Sequence, residues 1–279
     1  MRKERESITL NNVIAMPLTG LGTYRLGGMK MVLFVRKAVM FGYRHFDLAP
    51  AYGNEKWFGR AIPFCGKRRK NLFITTKLSN RGQETGDVRS QLLASLKRLR
   101  VKHLDLYLMH WPVPDRYVSS WMQMEVLYKE GLVRAIGVCN FHKHHMENLL
   151  KHAEIIPAIN QIELHPLLSQ MPLRQYCKEK GIQVEGYSPV ARMNEKLILN
   201  ETLTTMAGRH RKTVPQVILR WNYQHAIPTI PKTSNPDRLR ENIDIHDFSL
   251  SDKEMMLIDC LNIDYRVRFD PDNCDFSKL

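Results

Sequence analysis

Asp47, Tyr52, Lys77 and His110 are residue types that, brought together, can deliver a proton. A phenol has a reference pKa of about 10 and is a poor acid near neutrality, but a neighbouring ammonium stabilises the phenolate and pulls that value down. Lys77 supplies the ammonium. A lysine held against apolar walls needs a charge partner of its own, and Asp47 provides one through a charge-assisted hydrogen bond. His110 can then orient a carbonyl oxygen or help relay the proton. The set protonates a carbonyl oxygen without a metal or a covalent nucleophile. It lacks an electron source, which a hydride donor such as reduced nicotinamide would supply. Such a donor carries phosphates, and with 42 Lys and Arg against 28 Asp and Glu the chain has a net charge of +14 that draws anions.

The elements that must position these groups follow from short apolar runs at 18–21, 44–47, 73–76, 104–109, 135–138, 158–162, 183–187 and 227–230. Each is about a strand long. Between them lie apolar residues spaced by three and four, such as Val88, Leu92, Leu96 and Leu99, or Trp121, Met124, Leu127 and Tyr128, which suit amphipathic helices. Gly131 and Gly181 mark helix ends before the next strand. Eight β/α units in 279 residues is the arithmetic of an α/β chain of the (β/α)8 TIM barrel type, expected as a single domain over 1–279. An open doubly wound sheet would usually carry G-x-G-x-x-G after its first strand, whereas here Gly20-Leu21-Gly22 runs into Thr23-Tyr24.

In such a barrel the C-terminal strand ends face the active-site mouth. Asp47, Lys77 and His110 end the second, third and fourth strands, and Asn140, Glu163 with His165, and Ser188 follow the next three. Tyr52 sits in a short loop just after Asp47. A lone lysine at a strand end is usually a surface charge and a lone histidine a satisfied one. It is the convergence that points to chemistry.

The remaining composition bounds the answer. Hydrophobic residues at 43% and charged ones at 25% describe an ordinary globular core. Five cysteines with no C-x-x-C pair argue against a disulfide framework or zinc finger. The start, MRKERESITL, has no apolar h-region and no apolar run is long enough for a bilayer, so a reduced, cytoplasmic protein without membrane partners is expected. Nucleic-acid binding driven by charge alone is disfavoured, since no recognition module is present. His142-Lys143-His144-His145 looks like a metal cluster, but adjacent residues at a helix start do not share a face, so solvated surface is expected and no metal. The basic run 67–70 reads as a solvated loop.

Four ordered motifs resemble the aldo-keto reductases. They are Gly42-Tyr43-Arg44-His45-Phe46-Asp47 with Ala49, Ala51-Tyr52-Gly53-Asn54-Glu55 and Gly59; the stretch 104–112 containing Asp-Leu-Tyr-Leu-Met-His-Trp-Pro; Gly131-Leu132-Val133-Arg134-Ala135-Ile136-Gly137-Val138 with Asn140-Phe141; and Ile230-Pro231-Lys232-Thr233 with Arg238, Glu241 and Asn242. The resemblance implies a barrel capped at its bottom by an N-terminal β-hairpin, binding NADPH across the mouth without a Rossmann motif. It implies Tyr52 as proton donor, Lys77 and Asp47 as its tuning pair, and His110 as the residue orienting substrate. It places Asn140 and Gln161 on the nicotinamide carboxamide and Tyr187 on its ring, with Thr23, Tyr24 and Ser188 also at the cofactor. Lys232, Thr233 and Arg238 would hold a 2′-phosphate, and Glu241 and Asn242 the adenine. Fixed cations and an Arg fork suit that phosphate, favouring NADP over NAD.

Tyr24, Trp57 and Trp111 would form an aromatic pocket suited to aldehydes or small ketones. The expected function is therefore NADPH-dependent carbonyl reduction by a monomer, the rival being a redox-sensing regulatory protein on the same barrel. Departures from the family pattern are Leu48 after Asp47, Cys139 before Asn140, a short loop between Pro189 and Leu203, and a short tail from Asp264 carrying Arg266, Arg268 and Phe269.

Overall fold

The structure, a computed structural model, describes residues 7–276. The termini of the expected domain, including the basic start up to position 6 and the last three tail residues, lie outside the described residues. Strand β1 (Ser7–Thr9) pairs antiparallel with β2 (Ala15–Pro17). Seven parallel strands follow in chain order: β3 (Gly20–Gly22), β4 (His45–Asp47), β5 (Phe73–Leu78), β6 (Leu106–Met109), β7 (Ile136–Cys139), β8 (Ile159–Glu163) and β9 (Gln183–Tyr187). Helices such as Gly28–Phe41, Val88–Leu99, Tyr117–Lys129 and Met171–Glu179 make the crossovers.

The sheet closes between β9 and β3 through residues 228–232. Gly186 N–H donates to Pro228 O at 2.8 Å, Thr229 N–H to Leu18 O at 3.0 Å, Gly20 N–H to Thr229 O at 2.8 Å and Ile230 N–H to Gly186 O at 3.2 Å. The eighth strand expected at 227–230 is therefore in place but thinned to isolated bridges. Pro228 and Pro231 have no N–H to give to a ladder. The result is the expected (β/α)8 barrel with a hairpin at its base.

Alternation along the strands sorts side chains into two cores. Tyr107 and Met109 pack outward against the helices, while Leu106 and Leu108 point inward with Phe73, Ala158 and Ile159, sealed below by Leu10 and Met16 of the hairpin. Above this apolar plug the interior turns polar, with His45, Asp47, Thr75, Lys77, Gln161 and Glu185 all buried. Among the described residues no helix is long and apolar enough to cross a membrane.

Candidate active site

Asp47 on β4 and Lys77 on β5 both point inward near the strand ends, and the two pair there. Lys77 Nζ lies 2.7 and 2.6 Å from the two Asp47 carboxylate oxygens and 3.1 Å from Leu48 O. Both residues are buried. Burial pushes the lysine down, but the Asp47 carboxylate, through its charge and hydrogen bonds, together with Tyr52 and Cys139 more than offsets it and leaves the ammonium held above its ordinary value. Leu48, fully buried, thus contributes its carbonyl to the site whatever its side chain.

Tyr52 reaches the pair from the turn Pro50–Tyr52, ended by Gly53 at φ 64°. Two motif residues anchor the helix that follows this turn. Glu55 accepts from Thr76 Oγ1 and Arg98 Nε, each at 2.6 Å. At Gly59 a Cβ would sit 2.5 Å from Arg98 O, so helix Glu55–Ala61 packs this closely only without a side chain there. Asn54 donates to Thr23 O and Oγ1 at 2.8 Å, and Thr23 Oγ1 donates to Asp47 O at 2.7 Å, which ties the loop after β3 to the same corner. The Tyr52 ring centroid is 5.2 Å from Lys77 Nζ, 6.1 Å from the His110 ring and 5.1 Å from the Tyr24 ring. The four expected reactive residues meet.

Their acidities correct one expectation. Burial pushes the Tyr52 phenol up to about 12, with Lys77 pulling down and Asp47 pushing up. Lys77 acts in the expected direction, but burial wins and the net shift is upward. His110 is held down to about 3 by burial, then Lys77 and Arg268, so it is a neutral imidazole at ordinary pH. Neutral, it suits orienting an oxygen by hydrogen bonding, and it holds no spare proton to relay.

Asn140 follows β7 in the left-handed region at φ 62°, where Asn is tolerated. Its Nδ2 donates to His110 O at 3.0 Å, and its Oδ1 accepts from Tyr187 OH at 2.8 Å. Gln161 Nε2 donates to Asp47 Oδ2 at 3.0 Å and to Glu185 Oε2 at 2.8 Å. Asn140, Gln161 and Tyr187 thus gather beside the reactive set, with Ser188 next in chain at φ 50°. Cys139 Sγ lies 3.7 Å from Gln161 Oε1, so the thiol keeps a weak contact with the amide beside it.

Gly22 bridges to Lys232, which sets the segment after the barrel seam against the loop after β3. Burial and the nearby Arg25 both push Lys232 below its ordinary value, a cost that a bound anion would relieve. Arg238 is exposed on helix Pro236–Glu241 of the same segment, and Thr233 Oγ1 accepts from Asn235 N–H at 3.0 Å. Glu241 Oε1 accepts from Thr213 Oγ1 at 2.6 Å, and Asn242 is buried. Lys232, Thr233 and Arg238 could hold the phosphate end of a dinucleotide, with Glu241 and Asn242 next to them at the end of the same helix.

The pocket residues separate. Tyr24 edges Tyr52, and Trp111 is buried beside His110, its ring 6.4 Å from both the His110 and Phe276 rings. Trp57 instead packs beneath Arg60, whose guanidinium is 4.9 Å from its ring, and beside Gly27.

Several residues had no role in the sequence reading. Arg25 joins Lys232, and Glu185 and His45 lie beneath Asp47. The tail crosses the mouth because Glu163 accepts from the Val267 and Arg268 amides at 2.6 and 3.0 Å, and Asn80 Nδ2 donates to Phe276 O at 3.1 Å. Two surface expectations change. Arg69 in the basic run pairs with buried Asp105 at 2.7 Å rather than standing free in solvent. His142 is the extended N-cap of helix Lys143–Leu150 (φ −76°, ψ 170°), so helical spacing does not apply to it and its ring turns towards His144 and His145, 6.0 and 5.9 Å away.

Glu185 sets a pH prediction. Burial, then Asp47, pushes its carboxyl up to about 8, while His45 beside it is held down to about 3. A carboxyl whose folded value lies above its ordinary value of 4.5 favours the fold most below that value. This contribution is lost progressively as pH climbs to about 8. Glu185→Gln is expected to flatten that decline, read as thermal midpoints at about pH 6 and about pH 9.

Comparison with known proteins agrees with the geometry. The sequence model of the Aldo/keto reductase family matches residues 19–263. Over 273 residues the chain is 46% identical to glyoxal reductase of Bacillus subtilis, covering 98% of each chain. It is 40% identical to methylglyoxal reductase of Escherichia coli K12, covering 95% of this chain and 96% of that one. A solved aldo-keto reductase of Bombyx mori in complex with NADP superposes with a TM-score of 0.88 at 34% identity, over 96% of both chains. With a matching family model over residues 19–263 and relatives covered almost end to end, the chain belongs to the aldo/keto reductase family of oxidoreductases.

Proposed function

We propose that this chain is an NADPH-dependent reductase of small aldehydes and ketones, dicarbonyls of the glyoxal and methylglyoxal type foremost, with Tyr52 as the proton donor. The observation that carries the reading is the buried Lys77–Asp47 pair beneath Tyr52, with a neutral His110 across from it. The relatives that reduce glyoxal and methylglyoxal supply the substrate class. The cofactor, when bound, supplies the hydride.

Everything else falls to the chain's own groups. His110 orients the carbonyl oxygen towards the Tyr52 hydroxyl. Tyr52 gives its proton to the oxygen as negative charge develops there, and the Lys77 ammonium stabilises the phenolate left behind. Asp47 keeps Lys77 charged and fixed in place. When the cofactor is bound, Asn140, Gln161 and Tyr187 would hold its nicotinamide end, and Lys232, Thr233, Arg238 and Arg25 would hold its phosphate. Tyr24, Trp111 and Phe276 exclude water from the reacting face.

The direct test is loss of NADPH absorbance on mixing pure protein with glyoxal, methylglyoxal, aromatic aldehydes, sugars and quinones, with NADH in parallel. Turnover with NADPH preferred supports the reading. Tight NADPH binding with no carbonyl reduced would overturn it in favour of a redox sensor. Arg238→Ala is expected to weaken NADPH by about 10-fold to 100-fold, the worth of one charged hydrogen-bonding group, and NADH hardly at all. Equal losses for the two cofactors, by fluorescence titration, would remove Arg238 from the phosphate clamp.

A further inference from the structure

Outside the reactive corner, three histidines and a tail carboxylate converge. His142 Nδ1 lies 2.8 Å from Asp272 Oδ2, and His144 Nε2 and His145 Nε2 lie 3.2 and 3.5 Å from Asp272 Oδ1. One ligand atom from each of the four residues fits within 4.8 Å of the others. In a tetrahedral site with metal–ligand bonds of about 2.1 Å, ligand atoms stand about 3.4 Å apart, so small side-chain rotations complete the geometry. Three imidazole nitrogens and one carboxylate oxygen are a donor set for borderline ions, not for Mg2+ or Ca2+, which take mostly oxygen.

We propose that His142, His144, His145 and Asp272 form a site for one divalent transition-metal ion of the Zn2+, Co2+ or Ni2+ type, fastening the C-terminal tail to the start of helix Lys143–Leu150. His144 is largely exposed, so the ion has access and the second ring nitrogen keeps its proton in water. His142 ligates through Nδ1, and its proton moves to Nε2, which now meets an Arg266 guanidinium nitrogen at 3.0 Å. Arg266 then turns towards Asp270, already 3.4 Å from its Nε. His145 ligates through Nε2 and gives up the bond its Nδ1 accepts from the His142 amide at 3.2 Å. The clamp matters because the same tail carries Arg268, whose charge is felt at His110, and Phe276, which packs on Trp111. The histidines begin two residues after Asn140.

The test is a Co2+ titration of tag-free, full-length protein, followed by visible absorption. The expected result is one Co2+ per chain with tetrahedral d–d bands, displaced by Zn2+, and a higher thermal midpoint when Zn2+ is bound. The bands should vanish in His144→Ala/His145→Ala and in Asp272→Ala, with far-UV circular dichroism confirming that each variant is folded. No bands, or bands unchanged in the histidine variant, would overturn the site. Bands that persist in Asp272→Ala alone would overturn the fastening of the tail. None of these readouts depends on turnover, so they stand apart from the reductase reading.

Discussion

Tyr52→Phe is expected to lower turnover by about 10²-fold to 10⁴-fold while leaving NADPH affinity unchanged, since in the proposed mechanism it removes the general acid and nothing that holds the cofactor. The phenyl ring can keep the edge contact with Tyr24 and the place above Lys77 that the tyrosine ring has. Single-turnover reduction and fluorescence titration, run on the same preparation, separate the two effects. A loss below about tenfold would mean that another group or water supplies the proton. The upward shift of the phenol carries a second consequence. An acid held near 12 stays protonated across the working range, so this group makes the reduction rate independent of pH from about 5 to about 9, and the rate falls only as pH nears 12.

Lys77→Met is expected to cost both stability and turnover. The substitution leaves the Asp47 carboxylate buried with Gln161 Nε2 at 3.0 Å as its remaining side-chain donor among the described residues. Stranding one partner of a buried pair costs about 3–5 kcal/mol. Removing both charges, as in Asp47→Leu/Lys77→Met, is expected to recover much of that stability without recovering turnover, because no ammonium is left to support the phenolate. Urea unfolding midpoints and steady-state rates for the two variants check this. A double variant as unstable as the single would show that the loss comes from packing and not from the stranded charge.

The reactive set was legible because Asp47, Lys77 and His110 lie at the ends of strands whose direction alternation dictates, and Tyr52 sits a short turn away. The cofactor residues rest on motif resemblance, and the folded chain sets Asn140, Gln161 and Tyr187 beside His110 and Asp47. Glu185 and His45 escaped notice because their types say nothing of depth inside the barrel. Arg25 lies in a loop whose course no spacing sets. The sign of the Tyr52 shift depends on a sum of burial and two opposed charges, which no sequence pattern weighs. The tail's path depends on Glu163 meeting amides about a hundred positions later. The convergence of the histidine run is not legible in its spacing, because His142 caps the helix from outside it and helical periodicity does not place its ring.

The thin seam between β9 and β3 has a kinetic consequence. Each strand from β4 to β9 bonds to the strand before it in the chain, so the sheet can grow by short-range additions. Within the described sheet, the seam is where strands far apart in the chain meet, Thr19 with Thr229, about 210 residues apart. Contacts that close so long a loop form late and slowly. Until they form, β3 and β9 are both open edges able to recruit strands from other molecules. Refolding of this chain is thus most exposed to aggregation in the interval before residues 228–232 drop into the gap.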